Sequence, residues 1–286
     1  MSRTAVVTDS TADLMPEVAQ AAGIRVAPLI VQFGQDSFRV GVDLSTEQFW
    51  DRLLAPGAPI PSTAAPSPGV FRDIFEGCFA EGADSVVCPV IGSKLSGTFQ
   101  SATVAAGLLP EREIHVIDTA STSMSTGIPA LLATEMAEAG MPAAAIAAAI
   151  RDRLPDIDLV VAVDMLDYLR KGGRLSATQA AIGTLLSVKP LITVRDGLVV
   201  MAERQRTRAK ARARTIELIT AAPIERLAII HTPTSTADEV AAYQDALVAA
   251  IPGGIDPAAI SIGLLGASTG PHLGPNLMGA CFLRAR

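Results

Sequence analysis

Short β-branched runs alternate with helix-patterned stretches from the first residues onward, and this alternation limits the chain to a few architectures. TAVVTD (4–9), IRVAPLIVQF (24–33), DSVVCPVI (84–91) and EIHVID (113–118) have strand character. Between them, 45–54, 68–81 and 125–150 carry Ala, Leu and Ile on one side of a helical pattern. Residues 1–155 are therefore expected to form an N-terminal α/β domain with a largely parallel sheet. A boundary falls within DRLPDIDL (152–159), and 156–286 are expected to form a mixed α+β C-terminal domain. That half has strand runs at 158–164, 226–232, near 258–265 and at 278–284. Helical segments are expected at about 164–171 and 176–187, from about 207, and over 236–250. RDG (195–197) separates two apolar runs as a hairpin turn does. APGAPIPSTAAPSPG (55–69) has too much proline for a continuous helix or a central strand, and reads as a loop over a surface or cleft.

Composition removes several function classes. Hydrophobic residues make up 49% of the chain and charged residues 18%, yet much of the apolar share is alanine. No run reaches the ~18 apolar residues of a membrane span. The net charge of −6 gives nucleic acid no general electrostatic reason to bind. Cys78, Cys88 and Cys281 form no CxxC, which argues against a disulfide framework and a thiolate zinc site. His115, His231 and His272 are scattered without metal-ligand spacing, and no dinucleotide, P-loop or zincin motif is present. Neither metal nor cofactor is expected. The opening MSRTAVVTDSTADL lacks the apolar centre of a signal peptide, so a cytoplasmic location is expected.

The chemistry-bearing residues gather after strands. VVTDST (6–11), VIDTASTS (116–123), IIHTPTS (229–235) and LLGASTG (264–270) are all hydroxyl-rich loops. Parallel α/β folds place ligand crevices at such strand ends, although each loop alone reads as a helix cap. Asp9, Asp13, Asp118 and Asp164 read likewise as caps or solvated acids. Gly266–Gly270 matches the GxSxG elbow around Ser268, but only His272 and no acid follows it, and GPHLGPN is not expected to form the helix an elbow opens. A serine hydrolase is therefore excluded. RQRTRAKARAR (204–214) puts six cations at every second position, and reads as a helix with two solvated basic rows. In YLRKGGRLS, Gly172-Gly173 permit a sharp turn, and Arg174 after it can reach a carboxylate or phosphate or simply lie on the surface. In KLSGTFQ, Ser96 is placed to cap a helix from about Gly97; the hydroxyls and first N–H groups can hold a small anion or satisfy one another.

Taken in order, VVTDSTADL, VAPLIVQFG with GVDLSTEQFW, STAAPSPG, LSGTFQSA, VIDTASTSMSTG, YLRKGGRLS with LLSVKPLI, RTRAKA and GASTGPHLG resemble the DegV family, the fatty-acid-binding proteins that serve bacterial fatty acid kinase. The resemblance implies a two-domain DegV-like fold with a lipid site between the domains. It implies that a long-chain fatty acid lies in a buried apolar tunnel, its carboxylate held by Thr63, Ser96 and the Gly97 N–H. A separate ATP-dependent kinase would phosphorylate that carboxylate, with Arg174, Ser268 and His272 on the kinase-facing side. On this reading the chain is not itself catalytic. Departures from the family pattern are Ala64 and Ala65 in the Pro-rich loop, Val40, Ser187, and Ser268 where the family carries His. Serine cannot carry the charge of that His. Two rival readings follow: a lipid sensor without kinase coupling, or an enzyme acting on a small carboxylated or phosphorylated metabolite.

Overall fold

The computed structural model describes residues 3–175 and 188–286, so the helix expected over 176–187, with Ser187, lies outside the described residues. The expected parallel sheet is present. Strands β1 (Thr4–Asp9), β2 (Arg25–Ala27), β6 (Ser85–Val90) and β7 (Glu113–Asp118) form it in the order β2-β1-β6-β7, every pair parallel. All six residues of β6 are buried, as befits an inner strand covered on both faces. Val7, Val86 and Cys88 point to one side, against Phe71 and Phe75 of helix Pro68–Ala80 and Ala102 and Ala105 of helix Thr98–Gly107. Val6 and Val87, one residue out of phase, point to the other side, among Ile128, Ile146 and Ile150.

A second sheet follows in the chain. It comprises β8 (Ile157–Ala162), β9 (Lys189–Arg195), β10 (Leu198–Gln205), β11 (Ile224–His231), β12 (Ile260–Leu264) and β13 (Met278–Arg284), ordered β10-β9-β8-β13-β11-β12. Only the β11–β12 pair is parallel. The period of two divides this sheet as well. Leu227, Ile229, Ala280 and Phe282 face Val240, Tyr243 and Leu247 of helix Ala237–Ala250, whereas Ala228, Ile230, Cys281 and Leu283 join the core that contains Val6 and Val87. Helix Met124–Glu138 packs against β1 and β6 as well as β8 and β13, so its N-terminal turns are buried all round. Gly127 allows this closeness, since a Cβ there would stand 2.7 Å from the Ala12 carbonyl oxygen; within the second sheet, a Cβ at Gly279 of β13 would overlap the Val160 carbonyl oxygen of β8.

Several expectations are corrected. The 24–33 run is two strands, β2 and β3 (Ile30–Phe33), because Pro28 interrupts it. β3 belongs to a separate antiparallel sheet, between β4 (Asp36–Arg39) and β5 (Ser62–Ala64). The Pro-rich loop thus supplies an edge strand, where few ladder bonds are needed. The 125–150 helix is broken into Met124–Glu138 and Ala143–Arg153 by Gly140, which takes a φ of 80°, and by Pro142. The basic run is not one helix either. Arg204 lies in β10, whose ladder continues to Gln205 opposite Lys189, and the helix Arg208–Ile219 begins only after its Thr207 cap. Arg208, Arg212 and Arg214 in it pair with Asp164, Glu239 and Glu203, so part of the basic face is neutralised within the chain. GPHLGPN does open with a single helical turn, Gly270–Leu273, because Pro271 sits at its start, where no N–H is required.

Candidate functional site

The loops after β1, β6, β7 and β12 converge on one pocket. Leu29, Ile91, Leu95, Leu169, Val199 and Leu273 make it apolar. Thr63, Ser96, Arg174, Ser268, Thr269 and His272 supply its polar lining, with Thr11 and Thr122 beside them. Thus five of the six residues singled out from the sequence meet in one cavity. The sixth, Gly97, is exposed next to it, and a Cβ there would lie 3.9 Å from the Ala65 Cβ, in contact with the Pro-rich loop.

Thr63 is brought in by β5, and its Oγ1 lies 2.9 Å from His272 Nε2. The other ring nitrogen, Nδ1, is buried without a hydrogen-bond partner among the described residues and faces Gly172, where a Cβ would overlap it. A proton on Nδ1 would be an orphaned buried donor, which is rarer and costlier than an unfilled lone pair. This assigns the proton to Nε2, donated to Thr63 Oγ1, and leaves the Thr63 hydroxyl proton free. Burial, with the Arg174 charge adding to it, lowers the His272 pKa to about 4. The ring is therefore neutral at pH 7.

Ser96 does not occupy the N-cap; Gly97 does, and helix Thr98–Gly107 follows it. The Ser96 hydroxyl still accepts the Thr98 N–H at 3.3 Å and lies 2.9 Å from Thr98 Oγ1. Arg174 donates from Nε to the Leu95 carbonyl at 3.3 Å and from Nη1 to the Gly172 carbonyl at 2.5 Å. Among the described residues no carboxylate pairs with it. A cation with no acid partner thus lines a mostly apolar pocket.

Ser268 lines the same pocket, but its hydroxyl meets Ser10 Oγ at 2.7 Å rather than a histidine, and Ser10 Oγ accepts the Leu29 N–H. The ring in this site comes instead from His272. Two acids read from the sequence as caps or solvated groups lie behind the wall. Asp9 is buried at the end of β1, accepting N–H bonds from Thr11 and Ile91; burial raises its pKa despite them. Asp13 accepts from Ser123 Oγ at 2.6 Å and Thr269 Oγ1 at 2.9 Å, and burial pushes its pKa up to about 7. The hydroxyl-rich strand ends marked this locus in the sequence; nothing local marked half-buried Asp13 as its centre. Among the described residues no group of His, Cys, Asp and Glu is arranged to hold a metal, and no helix is long and apolar enough to cross a membrane.

This fold has counterparts among solved structures. A solved fatty-acid-binding DegV family protein from Thermus thermophilus superposes with a TM-score of 0.88 at 32% identity, over 99% of this chain and 100% of that one. DegV from Bacillus subtilis, described as a fatty acid binding protein, gives 0.87 at 30% identity over the whole of both chains. In sequence, a DegV domain-containing protein of Streptomyces coelicolor is 36% identical over 284 residues, covering 98% of each chain. The family model described as "Uncharacterised protein, DegV family" matches residues 3–285. With fold and sequence matching from end to end, the chain belongs to the DegV family.

Proposed function

We propose that this protein binds a long-chain fatty acid, with its carboxylate at Thr63, Ser96 and the Gly97 N–H and its tail along the apolar wall. The observation that carries this is Arg174, a cation without an acid partner among the described residues, lining a pocket whose other walls are mostly apolar. Such a pocket suits a ligand with one anionic end. The Thr63 hydroxyl, held by the His272 ring, has its proton free to donate, and the Gly97 N–H donates to no protein acceptor among the described residues. Each bond from a neutral donor to a carboxylate contributes about 1.5–3 kcal/mol, and each buried methylene about 0.8 kcal/mol. The fatty-acid-binding relatives from Thermus thermophilus and Bacillus subtilis support the same ligand class.

The test is mass spectrometry of the purified protein after solvent extraction, beside a Thr63→Ala/Ser96→Ala variant. A stoichiometric long-chain fatty acid is expected in the wild type. The variant should bind at least about a hundredfold more weakly, from the loss of two such bonds. A wild-type protein that is empty and takes up no added oleate or palmitate would overturn the reading, and leave the small-metabolite enzyme in its place.

The same site suits presentation of the carboxylate to a separate ATP-dependent kinase. Ser62, Ala64 and Gly97 are exposed around Thr63 and Ser96, so a carboxylate held there has a solvent-facing side. No base from this chain is required, since a fatty acid is ionised at neutral pH. Fatty-acid-loaded protein mixed with ATP and the catalytic subunit of a bacterial fatty acid kinase is expected to yield acyl phosphate, trapped as the hydroxamate. Arg174→Ala should reduce the yield at least tenfold. A wild type that holds lipid yet yields no product with an active kinase would instead support the lipid-sensor reading, with Ser268→His as the variant that tests whether the missing histidine is responsible.

A further inference from the structure

Asp13 closes the short turn after β1, with a left-handed backbone (φ 52°) that turns its side chain inward. Two hydroxyl donors, one from each of two other loops, meet its carboxylate. Ser123 Oγ donates at 2.6 Å from the segment after β7, where Ser123 itself has a φ of 58° and a ψ of −149°, a combination that L-residues rarely adopt. Thr269 Oγ1 donates at 2.9 Å from the loop after β12. Gly266 comes so close that a Cβ there would overlap Asp13 Oδ1. The two loops hold pocket residues: Thr122 on one, Ser268 and Thr269 on the other.

We propose that Asp13 is a positioning residue of the fatty-acid site, whose carboxylate ties the loop after β7 to the loop after β12 and so fixes the wall formed by Thr122, Ser268 and Thr269. This rests on the fatty-acid reading of the pocket. Only an ionised carboxylate accepts from both hydroxyls without presenting a donor of its own, and bonds to it are charge-assisted. The Thr269 hydroxyl has an alternative acceptor in its own loop, the Gly266 carbonyl at 3.1 Å. Protonation of Asp13 lets Thr269 turn to that acceptor, and the tie between the loops weakens. The titratable groups facing Asp13 are Asp9, whose charge opposes ionisation, and Cys281 of β13, whose thiol burial pushes up to about 12. Helix Met124–Glu138 places Met124, Gly127 and Leu131 beside this turn, none of them ionisable.

The experiment is a fluorescence titration of the lipid-free protein with cis-parinaric acid from pH 6 to 8.5, a window in which the probe stays ionised and His272, at about 4, stays neutral. Wild-type affinity is expected to rise about five- to tenfold across the window, with its midpoint near 7, where Asp13 titrates. Asp13→Asn and Thr269→Val should give flat profiles, and Thr269→Ser, which keeps the hydroxyl, should restore the inflection. A flat wild-type profile, or an inflection that survives in Asp13→Asn or Thr269→Val, overturns the role of Asp13 while leaving the fatty-acid reading intact. Failure of the wild type to bind the probe at any pH overturns both.

Discussion

Trp50→Ala is expected to lower the stability of the fold by about 4–6 kcal/mol, because it opens a large cavity and strips a partner from a buried carbonyl. Trp50 is 1% exposed and lies on helix Thr46–Leu54, which begins at a capping box made by Ser45 and Gln48. Its indole N–H donates to the Leu265 carbonyl at 2.8 Å, 215 residues away. Phe49, edge-on to Trp50 with ring centroids 5.1 Å apart, presses on Gly270, where a Cβ would stand 2.5 Å from the Phe49 ring. The pair therefore seats the loop that carries Ser268 and Thr269. Denaturant unfolding followed by circular dichroism measures the loss. Trp50→Phe, which keeps most of the volume but not the N–H, should lose about 1–3 kcal/mol. An alanine variant within ~1 kcal/mol of wild type would show that this helix does not seat the loop.

The second large effect is a pair of opposed pH dependences. His272, with its pKa lowered to about 4 from 6.5, refuses in the folded state a proton that the unfolded chain accepts. Its contribution to stability is therefore lost as pH falls from 6.5 towards 4. Asp13, raised to about 7 from 3.8, keeps in the folded state a proton that the unfolded chain releases, so stability is lost as pH rises from 3.8 towards 7. Each shift corresponds to about 2–4 kcal/mol once partial solvent access is allowed for. The two slopes oppose each other over the shared window and largely cancel in the wild type. In lipid-free protein, the stability of Asp13→Asn relative to wild type should rise steadily as pH goes from 4 to 7, the interval its carboxyl spans. That of His272→Gln should rise as pH goes from 6.5 to 4, the interval its ring spans. Unfolding curves for the three proteins at matched pH decide this, and parallel pH profiles would contradict the burial of both groups.

Much of the parallel sheet could be read directly from sequence. An inner strand covered on both faces favours a run of Val, as in TAVVTD, which matches β1 residue for residue; the edge strand EIHVID matches β7 likewise through its β-branched residues. The three-stranded sheet was not legible, because β4 is the short polar segment DSFR, largely exposed and without an apolar face to mark it. The basic run misled for a related reason. Its alanines favour helix locally, but the β9–β10 ladder holds Arg204 and Gln205 in a strand, so cross-strand pairing outweighs local propensity there.

For the site, the sequence by itself determined the kinds of groups present and where in the chain they stand: hydroxyls after strands at Ser96 and Ser268, Thr63 in the Pro-rich segment, and an arginine after two glycines. Those follow from local rules, since loops after parallel strands must gather at one edge of the sheet. Only the tertiary structure decided which groups face one another. Thr63 meets His272 across 209 residues, Ser10 meets Ser268 across 258, and Asp13 meets Thr269 across 256. Such partners share no local pattern. They are chosen by how the loops of one sheet close over those of the other, and burial at that closure leaves His272 neutral and holds Asp13 near the point of ionisation.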